Sequence, residues 1–148
     1  MTNDFTYIIL ADDDEDDRDF FSDAFKDLKM QNKVSLFNDG LQLMNYLNEP
    51  EAVLPHILFL DLNMPFKSGL ECLYEIKANE RLKNIAIAIY STSASDEDVE
   101  ATFVSGANIY IKKPSNFEAL KKILKEIVTI NWHYQTSGLN RDNFLLKL

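Results

Sequence analysis

Apolar runs of strand length alternate along the chain with longer stretches in which apolar residues recur every three or four positions. Tyr7-Ile8-Ile9-Leu10-Ala11 is short, rich in β-formers and free of polar alternation, which predicts a strand buried on both faces. Phe20, Phe21, Ala24, Phe25 and Leu28 then fall on one face of a helix. Val34 to Phe37 predicts a second strand, closed by Asn38-Asp39-Gly40, and Leu41 to Leu47 a short helix stopped before Pro50. The third strand, Ile57-Leu58-Phe59-Leu60, ends on Asp61 and runs into Asn63-Met64-Pro65, where the proline forbids continuation of a central ladder. Gly69 opens a helix through Leu70, Leu73 and Ile76 to about Ala78. Ile85 to Tyr90 is the fourth strand, and Ser95-Asp96-Glu97-Asp98 starts a helix that ends near Gly106. Ile109-Tyr110-Ile111 is the fifth strand, and a last helix runs from Asn116, as N-cap, to Ile130, burying Phe117, Leu120, Leu124 and Ile127.

Five such units imply an α/β fold: a doubly wound, five-stranded parallel sheet with helices on both faces and right-handed crossovers. In such sheets the functional crevice lies beyond the carboxyl ends of the strands. The residues found there are Asp12 and Asp13 after the first strand, Asn38 and Asp39 after the second, and Asp61 after the third. Ser91 and Thr92 follow the fourth, and Lys112-Lys113-Pro114 the fifth.

Composition narrows the class without changing this picture. The 148 residues are 46% hydrophobic and 26% charged, which suits one globular domain. No stretch approaches the ~20 apolar residues of a membrane span, and Met1 to Thr6 lacks the basic and apolar regions of a signal peptide, so a soluble cytoplasmic protein is expected. The lone Cys72 has no partner for an internal disulfide, and zinc ligation of the usual kind is disfavoured. A net charge of −9 with no basic stripe argues against direct nucleic-acid binding. Seven of the eight residues from Asp12 to Asp19 are acids, the exception being Arg18, so the charge is concentrated at one point.

Clustered carboxylates repel one another unless a cation sits between them, and oxygen ligands without Cys or His point to Mg²⁺ or Mn²⁺. The lysine and the hydroxyl at the same strand ends exceed what a metal site needs, but they are what a phosphoryl group needs: a point charge and a hydrogen-bond donor. A carboxylate beside the metal can then act as nucleophile toward phosphorus. The strand-end set therefore reads as a phosphoacceptor aspartate with its supporting groups.

The order of these residues resembles the receiver (CheY-like) domain of two-component response regulators. The resemblance is carried by Ile8-Ile9-Leu10-Ala11-Asp12-Asp13, by Leu58-Phe59-Leu60-Asp61-Leu62-Asn63-Met64-Pro65 with Gly69, by Ala88-Ile89-Tyr90-Ser91-Thr92-Ser93 and by Gly106 to Pro114, and it spans residues 7 to 130. It implies strand order 2-1-3-4-5 and a stand-alone receiver over 1–130. Asp61 would accept phosphoryl from a histidine kinase or a histidine phosphotransfer protein. Asp13 and Asp61 would ligate the metal directly, Asp12 through water and Asn63 through its backbone carbonyl. Lys113 would pair with phosphoryl oxygens across a cis Lys113–Pro114 peptide. Ser91 would be the switch hydroxyl and Tyr110 the aromatic that follows it; Thr92 departs from the family pattern, being bulkier than the small residue often found beside that hydroxyl, and is expected to narrow access of water or the phosphodonor. The output face for a downstream protein would be the fourth helix, fifth strand and fifth helix. Such a protein is a signalling phosphoacceptor with slow self-dephosphorylation rather than an enzyme.

Other readings are weaker. A haloacid-dehalogenase-type phosphatase would pair Asp12 with Asp14, but the residues after Asp14 do not fit and little chain is left for a substrate cap. A receiver-like scaffold that works without phosphorylation is disfavoured by the intact Asp13, Asp61 and Lys113. An EF-hand using Asp12, Asp14 and Asp16 fails because Asp17 stands where Gly is required and Asp23 where Glu is expected. Asp14 to Asp19 are expected to form the first turns of a helix, where negative charge is favoured. His56 and His133 show no ligand spacing. The extension 131–148 carries Trp132, Tyr134, Phe144, Leu145 and Leu146, too apolar for a free tail, and is expected to pack on the domain or on a second copy in a homodimer.

Overall fold

A computed structural model of the chain describes residues 6–129 and 144–146. Its elements are β1 (Thr6–Ala11), α1 (Glu15–Leu28), β2 (Asn32–Phe37), α2 (Gly40–Leu47), β3 (Ile57–Leu60), α3 (Gly69–Lys77), β4 (Ala86–Ser91), α4 (Asp96–Val104), β5 (Ile109–Lys112), α5 (Phe117–Thr129) and β6 (Leu145–Leu146). The sheet order is β2-β1-β3-β4-β5-β6, and every pairing is parallel. The order 2-1-3-4-5 thus holds for the five principal strands, and a sixth, not foreseen in the sequence, is added beside β5. The expected end of the last helix at Ile130 lies outside the described residues, as do Trp132, His133 and Tyr134.

Strands β1, β3 and β4 are covered on both faces, which is why they read as unbroken apolar runs. One face takes Ile8, Leu10, Phe59, Ala88, Tyr90 and Ile111 against Phe21 and Phe25 of α1 and Leu120 and Leu124 of α5. The other takes Ile9, Leu58, Leu60, Ile87 and Ile89 against Leu43 of α2, Leu73 and Ile76 of α3 and Val99 of α4. Burying these side chains contributes about 1.5–3 kcal/mol each and outweighs any local preference.

Local chemistry sets where the helices begin and end. Asp14, Asp39, Ser68 and Ser95 cap α1, α2, α3 and α4 through their side chains, and Ser68 with Glu71 forms a reciprocal capping box. Asn116 caps α5, its Oδ1 accepting from the Ala119 amide at 2.9 Å. Gly106 closes α4 with φ +99°, the left-handed conformation that glycine adopts without strain. At the far edge Phe144 is fully buried, its ring meeting Phe103 at 5.3 Å and Tyr110 at 6.1 Å between centroids. β6 follows directly, Leu145 in register with Tyr110 and Leu146 with Ile111.

Candidate phosphoacceptor and metal site

The parallel sheet delivers the carboxyl ends of β1, β3, β4 and β5 to one edge of the molecule. Ala11 pairs with Leu60, so Asp12 and Asp61 emerge side by side, and the Asp61 amide donates to the Ala11 carbonyl at 3.0 Å. Ser91 is the last residue of β4 rather than a residue beyond it, in register with Lys112. Its carbonyl accepts from the Lys113 amide at 2.8 Å, which ties the start of the β5–α5 connection to the end of β4.

Three carboxylates converge here. Asp12, Asp13 and Asp61 each offer an oxygen, and these oxygens lie within 4.8 Å of one another. Asp12 and Asp61 are buried and Asp13 is exposed, so the cluster has a closed floor and one open side. Burial pushes the Asp12 carboxyl up to about 6 despite the opposing pull of Lys113 and of the Asp14 amide. Burial also raises Asp61, against the attraction of Lys113.

Lys113 supplies the positive charge. Its Nζ lies 2.8 Å from Asp12 Oδ2, 2.8 Å from Asp17 Oδ2 and 3.2 Å from Asp61 Oδ2. Burial alone would lower this lysine, but the hydrogen bonds and charges of the acids outweigh it and hold the ammonium above the ordinary lysine range. The Tyr90 ring stands beneath the ammonium, 5.4 Å from Nζ to the ring centroid.

Asp12 Oδ2 is buried, and the contact it makes is the ion pair with Lys113 Nζ at 2.8 Å. One ammonium does not neutralise the three carboxylates gathered here, so the cluster fits a hard divalent cation. The donor set is all oxygen, which suits Mg²⁺, Mn²⁺ or Ca²⁺ and not a soft metal. The Asn63 amide approaches Asp61 Oδ1 at 3.4 Å, which puts its peptide beside the same carboxylate.

The hydroxyls and the aromatic of the fourth and fifth strands separate clearly. Ser91 is buried with its Oγ accepting from the Ser93 amide at 3.2 Å, whereas Thr92 is exposed. Tyr110 is fully buried and its hydroxyl donates to the Ser93 carbonyl at 2.6 Å. Burial pushes this phenol up to about 12. Ser91 and Tyr110 are therefore joined through one residue of the β4–α4 connection.

Two sequence expectations need correction. The Lys113–Pro114 peptide is trans, as are all peptides among the described residues. Trans is the ordinary state of a prolyl bond, and here it suffices, because the Ser91 carbonyl and the three carboxylates already direct Lys113 inward. The acidic run also does not divide at Asp13. Asp17, expected only to decorate the helix, turns back to Lys113, while Asp14 caps α1 by accepting from the Asp17 amide. The sequence carried no local signal for this, since the partner is 96 residues away.

The remaining readings find no support in the geometry. Asp14 is exposed and serves as a cap, so it does not converge with Asp12 as a phosphatase pair would require. Among the described residues the candidate metal cluster holds neither Asp14 nor Asp16, against an EF-hand. His56 Nδ1 accepts from the Tyr7 amide at 2.9 Å, a structural role. Asp39 caps α2, and the Asn38 amide bonds Gln42 of the same helix, so the end of β2 contributes to local structure.

The chain is similar over most of its length to known signalling proteins. The response regulator receiver domain family matches residues 8–125. The probable methanogenesis regulatory protein FilR2 of Methanothrix harundinacea is 33% identical over 123 residues, covering 81% of this chain and 79% of that protein. Response regulator Rcp1 of Synechocystis is 32% identical over 124 residues, covering 81% and 84%. The crystal structure of the Mn²⁺-bound form of Rcp1 superposes with a TM-score of 0.77 at 30% identity, over 85% of this chain and 97% of that one. The phosphorylated cyanobacterial phytochrome response regulator RcpA superposes with a TM-score of 0.76 at 30% identity, over 92% and 97%. No helix among the described residues is long and apolar enough to cross a membrane. Strand order, the acidic cluster with its lysine, and these likenesses converge on one assignment: the chain belongs to the response regulator receiver domain family, the phosphoacceptor module of two-component signalling.

Proposed function

We infer that Asp61 is the phosphoacceptor of this response regulator and that its phosphoryl donor is a phosphohistidine on a histidine kinase or a histidine phosphotransfer protein. The observation that supports this most directly is the meeting of Lys113 Nζ with Asp61 Oδ2 at 3.2 Å within the cluster of Asp12, Asp13 and Asp61. A carboxylate oxygen of Asp61 attacks phosphorus, the P–N bond breaks, and its electron pair returns to the imidazole, leaving an acyl phosphate on Asp61. Lys113 orients the carboxylate and gives a donor to the phosphoryl oxygens. Asp12, Asp13 and Asp61, with the Asn63 carbonyl, would hold Mg²⁺, which when bound neutralises the carboxylates and the transferred group.

Ser91 is the hydroxyl that meets the new phosphoryl group, and Tyr110 follows it, because both bond the Ser93 segment. Phosphorylation favours whichever arrangement gains the new contacts, a population shift read at the α4-β5-α5 face by a downstream protein. Thr92, exposed beside Ser91, restricts access to the acyl phosphate and keeps self-dephosphorylation slow. Residues 1–130 form the receiver; of the extension 131–148 the described part, Phe144 to Leu146, packs on it through Phe103 and Tyr110 and the pairing with β5, and the rest lies outside the described residues.

The test is incubation with Mg²⁺ and acetyl phosphate, followed by mass mapping. One base-labile phosphoryl group on Asp61, lost in Asp61→Asn, is the expected outcome. Absence of label from any donor would point to a scaffold instead. Turnover of organic phosphates through Asp12 would point to a phosphatase.

A further inference from the structure

We propose that Asp17 is a positioning residue for the phosphoryl reaction: it anchors Lys113 on the α1 side of the site and so keeps the lysine from closing down on the Asp61 carboxylate. This rests on Asp61 being the acceptor. Lys113 makes two hydrogen bonds to carboxylates, and the shorter is to Asp17, at 2.8 Å against 3.2 Å for Asp61. Asp12 is as near as Asp17, its Oδ2 ion-paired with the ammonium at 2.8 Å from the end of β1. The side chain of Lys113 is 8% exposed and that of Asp17 is 34% exposed, so water reaches this pair only from one side.

An ammonium has three donors on a flexible four-carbon stem, and its position is set by what it bonds. The Asp17 bond uses one donor and leaves the other two toward Asp12 and Asp61, beside the space where phosphoryl oxygens will stand. Without that bond the lysine is held only by the strand-end carboxylates Asp12 and Asp61 and is drawn onto them. A tight ion pair would then mask the oxygen pair that must attack phosphorus. The anchor also links α1 to the phosphoryl site through a single side chain.

Simple electrostatics predicts the opposite sign. The Asp17 carboxylate repels an anionic donor, so if charge alone mattered, neutralising it would speed the reaction. The two accounts therefore separate in a rate measurement.

The experiment uses the full chain with saturating Mg²⁺ and acetyl phosphate, comparing initial rates of Asp61 labelling in wild type, Asp17→Asn, Asp17→Glu and Asp16→Asn. Asp16 is an exposed acid on the same helical turn and serves as control. Asp17→Asn should slow labelling by about five- to tenfold, the effect of one charge-assisted hydrogen bond. Asp17→Glu should recover most of the rate, and Asp16→Asn should match wild type. In a Lys113→Ala background the Asp17→Asn change should have no effect, because its route is through the lysine. The ¹⁵N resonance of the Lys113 ammonium, recorded without metal, should shift in Asp17→Asn and not in Asp16→Asn. Labelling of Asp17→Asn at or above the wild-type rate, an equal slowing with Lys113 absent, or an unmoved ammonium resonance would each overturn the proposal. Failure of the acceptor reading is distinct, since wild type itself would then take no label.

Discussion

A Cβ placed on Gly69 would stand 2.1 Å from the carbonyl oxygen of Asp61 and 2.8 Å from the Cα of Leu62. The loop after β3 folds back so tightly that the first residue of α3 touches the backbone of the candidate acceptor, and the Gly69 amide donates to the Leu62 carbonyl at 2.9 Å. Backbone cannot move aside as a flexible side chain can. We predict that Gly69→Ala displaces Asp61, costs about 2 kcal/mol or more in urea unfolding, and sharply lowers labelling. Gly106→Ala is the comparison. There the new Cβ meets only the Lys77 side chain at 3.3 Å and the strain comes from φ +99°, so a cost of about 1 kcal/mol with labelling unchanged is expected. A milder effect at Gly69 than at Gly106 would refute the close-approach argument.

Metal should act on stability as well as on chemistry. The three carboxylates within 4.8 Å repel one another in the metal-free protein, so a cation bound only by the folded state must stabilise it. At a free concentration a hundredfold above its dissociation constant, Mg²⁺ is expected to add about 2.7 kcal/mol. Asp13→Asn should remove most of that gain while leaving the metal-free fold intact, because Asp13 is exposed. Thermal melts in chelator and in Mg²⁺ check this, and an equal gain in Asp13→Asn would exclude Asp13 as a ligand.

Thr92 is exposed immediately after the buried Ser91. A β-branched side chain at that point narrows the path of the water that hydrolyses the acyl phosphate. Thr92→Ala is expected to lose phosphoryl from Asp61 about two- to tenfold faster, an effect of roughly 0.4–1.4 kcal/mol on the barrier. Decay followed after removal of the donor measures it, and identical half-lives would show that Thr92 does not limit access.

Cys72 is buried on α3, with its thiol directed to the Gly40 carbonyl at 3.6 Å, and burial pushes it up to about 12. A thiol raised above its ordinary value stays protonated as pH increases, so the reactive thiolate is scarce at pH 8. Native protein should therefore resist alkylation at pH 8 and react only as fast as it unfolds. Reaction at the rate of a free thiol under native conditions would contradict the burial.

What could be read from the linear chain was whatever depends on neighbours in sequence. Apolar runs marked β1, β3, β4 and β5, because a strand covered on both faces carries no polar alternation. The ends of those runs marked Asp12, Asp13, Asp61, Ser91 and Lys113, because a parallel sheet places all its carboxyl ends on one side. Gly106 and Asn116 marked helix limits by their own conformational preferences. The tertiary structure alone decided the contacts between distant residues. Asp17 meets Lys113 across 96 positions, and only the rotation of α1 against the sheet determines which of several adjacent acids faces the lysine. The trans Lys113–Pro114 peptide and the burial of Tyr110 depend in the same way on what surrounds them. Phe144 finds its place against Phe103 and Tyr110, and β6 pairs with β5, because the sheet has an open edge there; periodicity in two leucines cannot signal a strand. Local pattern thus set the elements and the side of the sheet on which the chemistry lies, and packing set which charges touch.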